Sequence, residues 1–152
     1  MRMLTVGRPK DKSLVSLIQD YQTRLAMWGP LTWDIVPEVP YRSNQEIYAR
    51  RTESDALLGK ISPKEFVVLL DIDGDMVDST ELSRRIVGWR DQAQNLVFVI
   101  GGSLGVEETV VRRAGWRWSL SRLTLPHALA QLVTVEQLYR ALAIFHHHPY
   151  HK

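Results

Sequence analysis

The chain has 152 residues, 45% of them apolar and 24% charged, with 19 Lys and Arg against 17 Asp and Glu and a formal net charge of +2. That length suits a single domain, residues 1–152, and leaves little room for a second. The lack of cysteine excludes disulfides and thiolate metal sites, and no apolar run approaches the roughly 20 residues of a membrane span. The opening MRMLTVGRPKDKS is too charged for a secretory signal, so a soluble, cytoplasmic protein is expected. Charges of both signs are spread along the chain, which permits a nucleic-acid partner without requiring one.

Arg2 to Val6 reads as a short strand. Leu14, Leu17, Ile18, Tyr21 and Leu25 then recur at helical spacing until Gly29-Pro30. Leu31, Trp33 and Ile35 alternate as a strand does. Ser43 with Glu46 forms a capping-box pattern, predicting a helix from Asn44 to about Leu58, ended by Gly59. Phe66 to Leu70 reads as a buried strand. The next helix is capped by Asp78 or Ser79 and runs to about Trp89. Leu96 to Ile100 is a second buried strand, ended by Gly101-Gly102. A short helix near Val106 to Ala114, a strand from Trp116 to Leu120 and a helix from Pro126, a good first-turn residue, to about Phe145 complete the pattern. The runs FVVLL and LVFVI are apolar without alternation, as in strands covered on both faces. Together these elements predict an α/β fold with a mainly parallel sheet flanked by helices.

Ligands of open parallel sheets bind at the carboxyl ends of the strands. Three such ends carry unusual residues: Leu70-Asp71-Ile72-Asp73-Gly74, Ile100 to Gly105, and Leu120 to His127. The glycine loop lacks the G-x-G-x-x-G spacing and is followed by no Gly-Lys-Ser/Thr, which argues against a dinucleotide or a triphosphate. By itself it reads as a tight turn. Asp71, Asp73, Asp75 and Asp78 lack the spacing and glutamate of a calcium loop, so they read as a polar turn with no metal. The tail from His146 to Lys152 reads by default as solvated. Its rival is an RNA contact, with Tyr150 for stacking and Lys152 for phosphate. Trp28, Trp33, Trp89, Trp116 and Trp118 read as core or interface. The pairs Arg50-Arg51, Arg84-Arg85 and Arg112-Arg113 read as solvated helix faces.

The segments LLDIDGDMVDSTELSRRI, FVIGGSLG, LSRLTLPHALAQLVTVEQLYRALAI and HPYHK, in this order, resemble the ribosomal RNA large-subunit methyltransferase H family. They span about the last 90 residues. The resemblance implies a knotted fold of the SPOUT type, with a C-terminal trefoil knot. It also implies a homodimer and an S-adenosylmethionine site beside the subunit interface. The reaction it implies is methylation of N3 of a pseudouridine in large-subunit (23S) rRNA of the assembled ribosome. By position, Leu70, Gly101 and the loop Leu120, Ser121, Arg122, Leu123, Thr124 and Leu125 should hold the cofactor; Leu120, Leu123 and Leu125 offer apolar walls and the backbone can read the adenine edge. Arg140, Tyr150 and His151, in the YRA and PYH motifs, are the candidates for the chemistry at the target nitrogen, with His151 a base when neutral. The same tail residues could instead order the RNA or seal the cofactor pocket. His127 reads as structural, at the start of the last helix. Two rivals stay open: a knotted methyltransferase acting on transfer RNA, and a non-catalytic dimeric ribosome-binding factor.

Overall fold

A computed structural model describes residues 1–151 of the protein, and Lys152, a phosphate contact only in the rival reading of the tail, lies outside the described residues. Strands and helices alternate: β1 (Arg2–Val6), α1 (Lys12–Leu25), β2 (Thr32–Val36), α2 (Glu46–Lys60), β3 (Glu65–Met76), α3 (Ser79–Asp91), β4 (Asn95–Ile100), α4 (Glu108–Arg113), β5 (Trp116–Ser119) and α5 (His127–Phe145). The strands form one sheet in the order β2-β1-β4-β3-β5, and every pairing is parallel.

Alternation along the central strands divides the core in two. Leu96, Phe98 and Ile100 of β4 pack with Ile18 and Leu25 of α1, Leu82 and Ile86 of α3, and Leu138 and Leu142 of α5. Val97 and Val99 face the other way and join Leu57 of α2 and Val110 of α4. Both faces of the sheet are therefore covered, which is why FVVLL and LVFVI carry no polar residues.

The structure corrects several boundaries. The Ser43–Glu46 capping box does not form: Gln45 occupies the N-cap of α2 without a side-chain cap bond, and the helix continues through Gly59 to Lys60. Of the two proposed caps of α3, Asp78 holds the position, its Oδ1 accepting the Glu81 N–H at 2.7 Å. Pro126 is the N-cap of α5 and not its first-turn residue. The strand β3 runs on through the segment read as a polar turn, with an irregularity in its pairing to β5 between Leu70 and Asp75. Three of the four acids of that segment make side-chain bonds within the fold. Asp71 pairs with Arg117, Asp75 accepts the Trp116 indole N–H, and Asp78 caps α3. Among the described residues no cluster of three or more His, Asp or Glu is placed to hold a metal, and no helix is long and apolar enough to cross a membrane.

Each of the three arginine pairs has a member tied down. Arg50 pairs with Glu107, Arg113 donates to the Ser62 and Glu65 carbonyls, and Arg84 and Arg85 both pair with Glu81, with Arg85 lying over the Trp116 ring. The predicted solvated faces are thus partly structural, because their guanidinium groups find acceptors one turn away or across a loop.

Candidate active site

The chain leaves β3 toward α3 on one face of the sheet and leaves β4 toward α4 on the other, so the strand ends diverge and open a crevice. A cavity of about 660 Å³ occupies this place, within the range of sites that enclose a small organic ligand. Its walls come from all three strand ends singled out in the sequence. They are Leu70 to Asp73 of β3, the glycine loop after β4 through Gly101, Gly102 and Leu104, and Ser119 to Leu125 after β5. Two side chains of these segments, Ser103 and Arg122, take no part in the wall.

Local geometry explains why these segments can form walls. A β-carbon on Gly101 would stand 2.7 Å from Val106 Cγ1 and 3.2 Å from the Gly105 carbonyl oxygen, so only glycine lets the loop fold this tightly. Gly105, at φ +74°, closes the turn by donating its N–H to the Gly102 carbonyl at 3.1 Å. The loop after β5 is held by its own serines. Ser119 Oγ donates to the Ser121 carbonyl at 2.9 Å, and Ser121 Oγ accepts the Leu123 N–H at 2.9 Å. Leu123 is left 74% exposed at the cavity edge, an apolar side chain in need of a cover.

The charged residues of the wall are Asp71, Asp73 and Glu108 against Arg117. Asp71 and Arg117 are paired at 2.8 Å, which leaves Asp73 and Glu108 exposed and the cavity net acidic. Apolar walls, close backbone and a negative field suit a flat, uncharged ring system joined to a cationic group, and disfavour phosphate. His127, read as structural, also lines the cavity.

The other three sequence candidates lie elsewhere in the chain. Tyr150 Oη donates to Glu136 Oε1 at 2.9 Å and lies 3.0 Å from Tyr21 Oη. Arg140 donates to the same Glu136 oxygen through Nε and Nη2, at 3.0 and 2.7 Å, and its guanidinium sits 4.7 Å from the centre of the Tyr150 ring. Burial, then the bonds to Tyr21 and Glu136, push the Tyr150 phenol well above its ordinary pKa, and the bond to Glu136 raises that of Arg140. Both groups therefore keep their protons at any physiological pH. His151 is exposed.

The tail is not merely solvated. His146 stacks on Trp28 with ring centres 5.2 Å apart, and His148 meets Trp28 and Tyr139 edge-on. None of Arg140, Tyr150 and His151 lines the cavity; Arg140 is ten residues beyond Ala130, the last residue of α5 that does, or about 15 Å along the helix. Sequence reasoning missed Tyr21 and Glu136. The spacing of Glu136 and Arg140, four residues apart on a helix, was a readable signal. Nothing local marks Tyr21, which meets Tyr150 across 129 positions.

A parallel sheet covered on both faces, with a ligand-sized, acidic cavity at the divergence of its strand ends, places the chain among the open α/β proteins whose ligands bind at that edge. The particular family follows from comparison. A family model described as "Predicted SPOUT methyltransferase" matches residues 1–151. Proteins named ribosomal RNA large subunit methyltransferase H are similar throughout: that of Gemmatimonas aurantiaca is 39% identical, over 99% of this chain and 97% of its own. The Desulforamulus reducens protein is 37% identical over 99% and 97%, and the Xylella fastidiosa protein 38% over 88% and 85%. The chain belongs to the SPOUT methyltransferase family, as the TLPHALA, EQLYRA and HPYHK segments indicated, and family membership implies the C-terminal knot.

Proposed function

We propose that the protein methylates N3 of a pseudouridine in large-subunit (23S) rRNA of the assembled ribosome, using S-adenosylmethionine and acting as a cytoplasmic homodimer. The observation that carries this reading is the cavity, whose walls join Leu70, Gly101 and the loop after β5 around a net acidic space. Leu70, Leu120, Leu123 and Leu125 supply apolar surface for the adenosine, and the backbone at Gly101 approaches it closely. Arg122 would act from outside the wall. When bound, the cofactor supplies a methyl group already activated on a sulfonium.

The chain's remaining tasks are to align the target nitrogen and to ease loss of its proton. Arg140, held in place by Glu136, and Tyr150, which keeps its proton, are hydrogen-bond donors that favour the deprotonated imide and not bases. His151 is free to take up the proton. Because the tail cluster lies about 15 Å along α5 from the cavity wall, the active site is completed by the tail of a second protomer. The exposed Leu123 and Leu129, 74% and 40% accessible, are the apolar surface such a partner covers.

The test is methyl transfer from labelled S-adenosylmethionine to purified ribosomes by the wild type, Gly101→Trp and Tyr150→Ala. Label at one pseudouridine, lost in both variants, is expected. Label on transfer RNA alone would overturn the substrate, and cofactor binding without transfer to any RNA would favour a non-catalytic binding factor.

A further inference from the structure

Helix α2 touches the glycine loop with three successive contacts. Arg50 Nε meets Glu107 Oε1 at 2.5 Å, and Ser54 Oγ accepts the Glu107 N–H at 2.9 Å. Glu53 presses on Gly102: a β-carbon there would stand 2.6 Å from Glu53 Oε2. Glu53 is only 3% exposed. Its Oε1 accepts the Val39 N–H at 2.8 Å, while Oε2 has no hydrogen-bond partner among the described residues. A buried carboxyl with an idle oxygen is costly to a fold. The loop does not need it for anchorage, since Arg50 and Ser54 already hold Glu107. Gly102 is a cavity wall, so a single residue without a side chain separates this carboxyl from the ligand space.

We propose that Glu53 is a specificity residue whose buried carboxylate favours the cationic cofactor over the neutral product left by methyl transfer. S-adenosylmethionine, the cofactor of the reading above, carries a sulfonium, an ammonium and a carboxylate, a net charge of +1. In transfer the nitrogen's electron pair forms the new N–C bond, the C–S pair stays on sulfur, and the imino proton leaves the nitrogen. S-adenosylhomocysteine therefore departs with no net charge. A negative charge behind the wall holds the first more tightly than the second and helps product leave.

The other acids of the site serve less well. Asp71 is neutralised by Arg117, and Asp73 and Glu108 are exposed and screened by solvent. Burial and then Glu38 push the Glu53 carboxyl above its ordinary value, against the Val39 N–H and His127, while the Arg50–Glu107 pair lies beside it. A cation in the cavity opposes that shift. The preference for the cofactor should therefore grow with pH as Glu53 ionises.

The experiment is isothermal titration of the full chain with S-adenosylmethionine and with S-adenosylhomocysteine, at ~0.1 and ~1 M salt. Glu53→Gln keeps the shape and the acceptor for Val39. It should weaken the cofactor about tenfold, a unit charge acting across roughly 10 Å, and the product less than about twofold, at both salt concentrations. Asp73→Asn should matter only at low salt. Equal weakening of both ligands would reduce Glu53 to a support of the loop and overturn the proposal, as would no change. If Glu53→Gln does not fold, the wild type decides alone: its cofactor-to-product affinity ratio should rise with pH, and a flat ratio overturns the proposal. A wild type that binds neither ligand would instead overturn the cofactor reading itself.

Discussion

The cavity and the tail are built by opposite means. The cavity owes its shape to backbone and apolar side chains, with its charged residues set in the wall, and Gly101, Gly102 and Gly105 matter for atoms they lack. The tail is made of polar side chains that matter for atoms they have: Tyr21, Glu136, Arg140 and Tyr150 form one hydrogen-bonded group. Substitutions should therefore harm the first region by adding volume and the second by removing it.

The largest effect is expected at Gly101. A β-carbon there would already meet Val106 Cγ1 at 2.7 Å, so Gly101→Trp must displace the loop and fill the cavity. Cofactor affinity, read by titration, should fall by about a hundredfold or more, about 3 kcal/mol, while the tail remains ordered. Retained affinity would break the comparison at its first limb.

Tyr150→Ala should do the reverse. Turnover on ribosomes should drop about a hundredfold, the size of a lost positioned hydrogen-bond donor, with cofactor affinity unchanged. A mixture of Gly101→Trp and Tyr150→Ala subunits sharpens the point. If the tail of one protomer serves the cavity of the other, mixed dimers contain one intact composite site and recover part of the activity. No recovery would place tail and cavity in the same subunit. Tyr21→Phe removes a single hydrogen bond to Tyr150, about 1 kcal/mol, and should lower turnover roughly fivefold.

The same division decides what was legible in the sequence. Strand runs such as LVFVI and the glycines after them announce a parallel sheet and its ligand-binding end, because burial and turn geometry act on neighbouring residues. The β5 loop and the tail were placed by family resemblance, since Leu120 to Leu125 carry no periodic signal. Glu53 was invisible: on α2 it looks like any helical glutamate, and only the packing of Gly102 against it reveals that it is buried. The tail's ties to Trp28 and Tyr21 escaped for the same reason, being contacts between the two ends of the chain. The capping box failed where a local pattern met a loop that the fold held differently, leaving Gln45 at the cap.

The smallest effect concerns Glu53 without ligand. Its folded carboxyl holds a proton more tightly than the unfolded one, whose pKa is near 4.5. The folded state thus binds more protons in the range above 4.5, and stability falls as pH rises through it toward the raised folded value. Below pH 4.5 both states are protonated and the penalty is absent. Glu53→Gln, which cannot ionise, should therefore melt slightly higher than the wild type at neutral pH and lose that advantage in acid. Thermal melts at several pH values measure the difference. An advantage that stays constant with pH would mean that folding leaves this carboxyl's titration unshifted, and would remove the idle charge that sets this wall of the cavity apart from the tail.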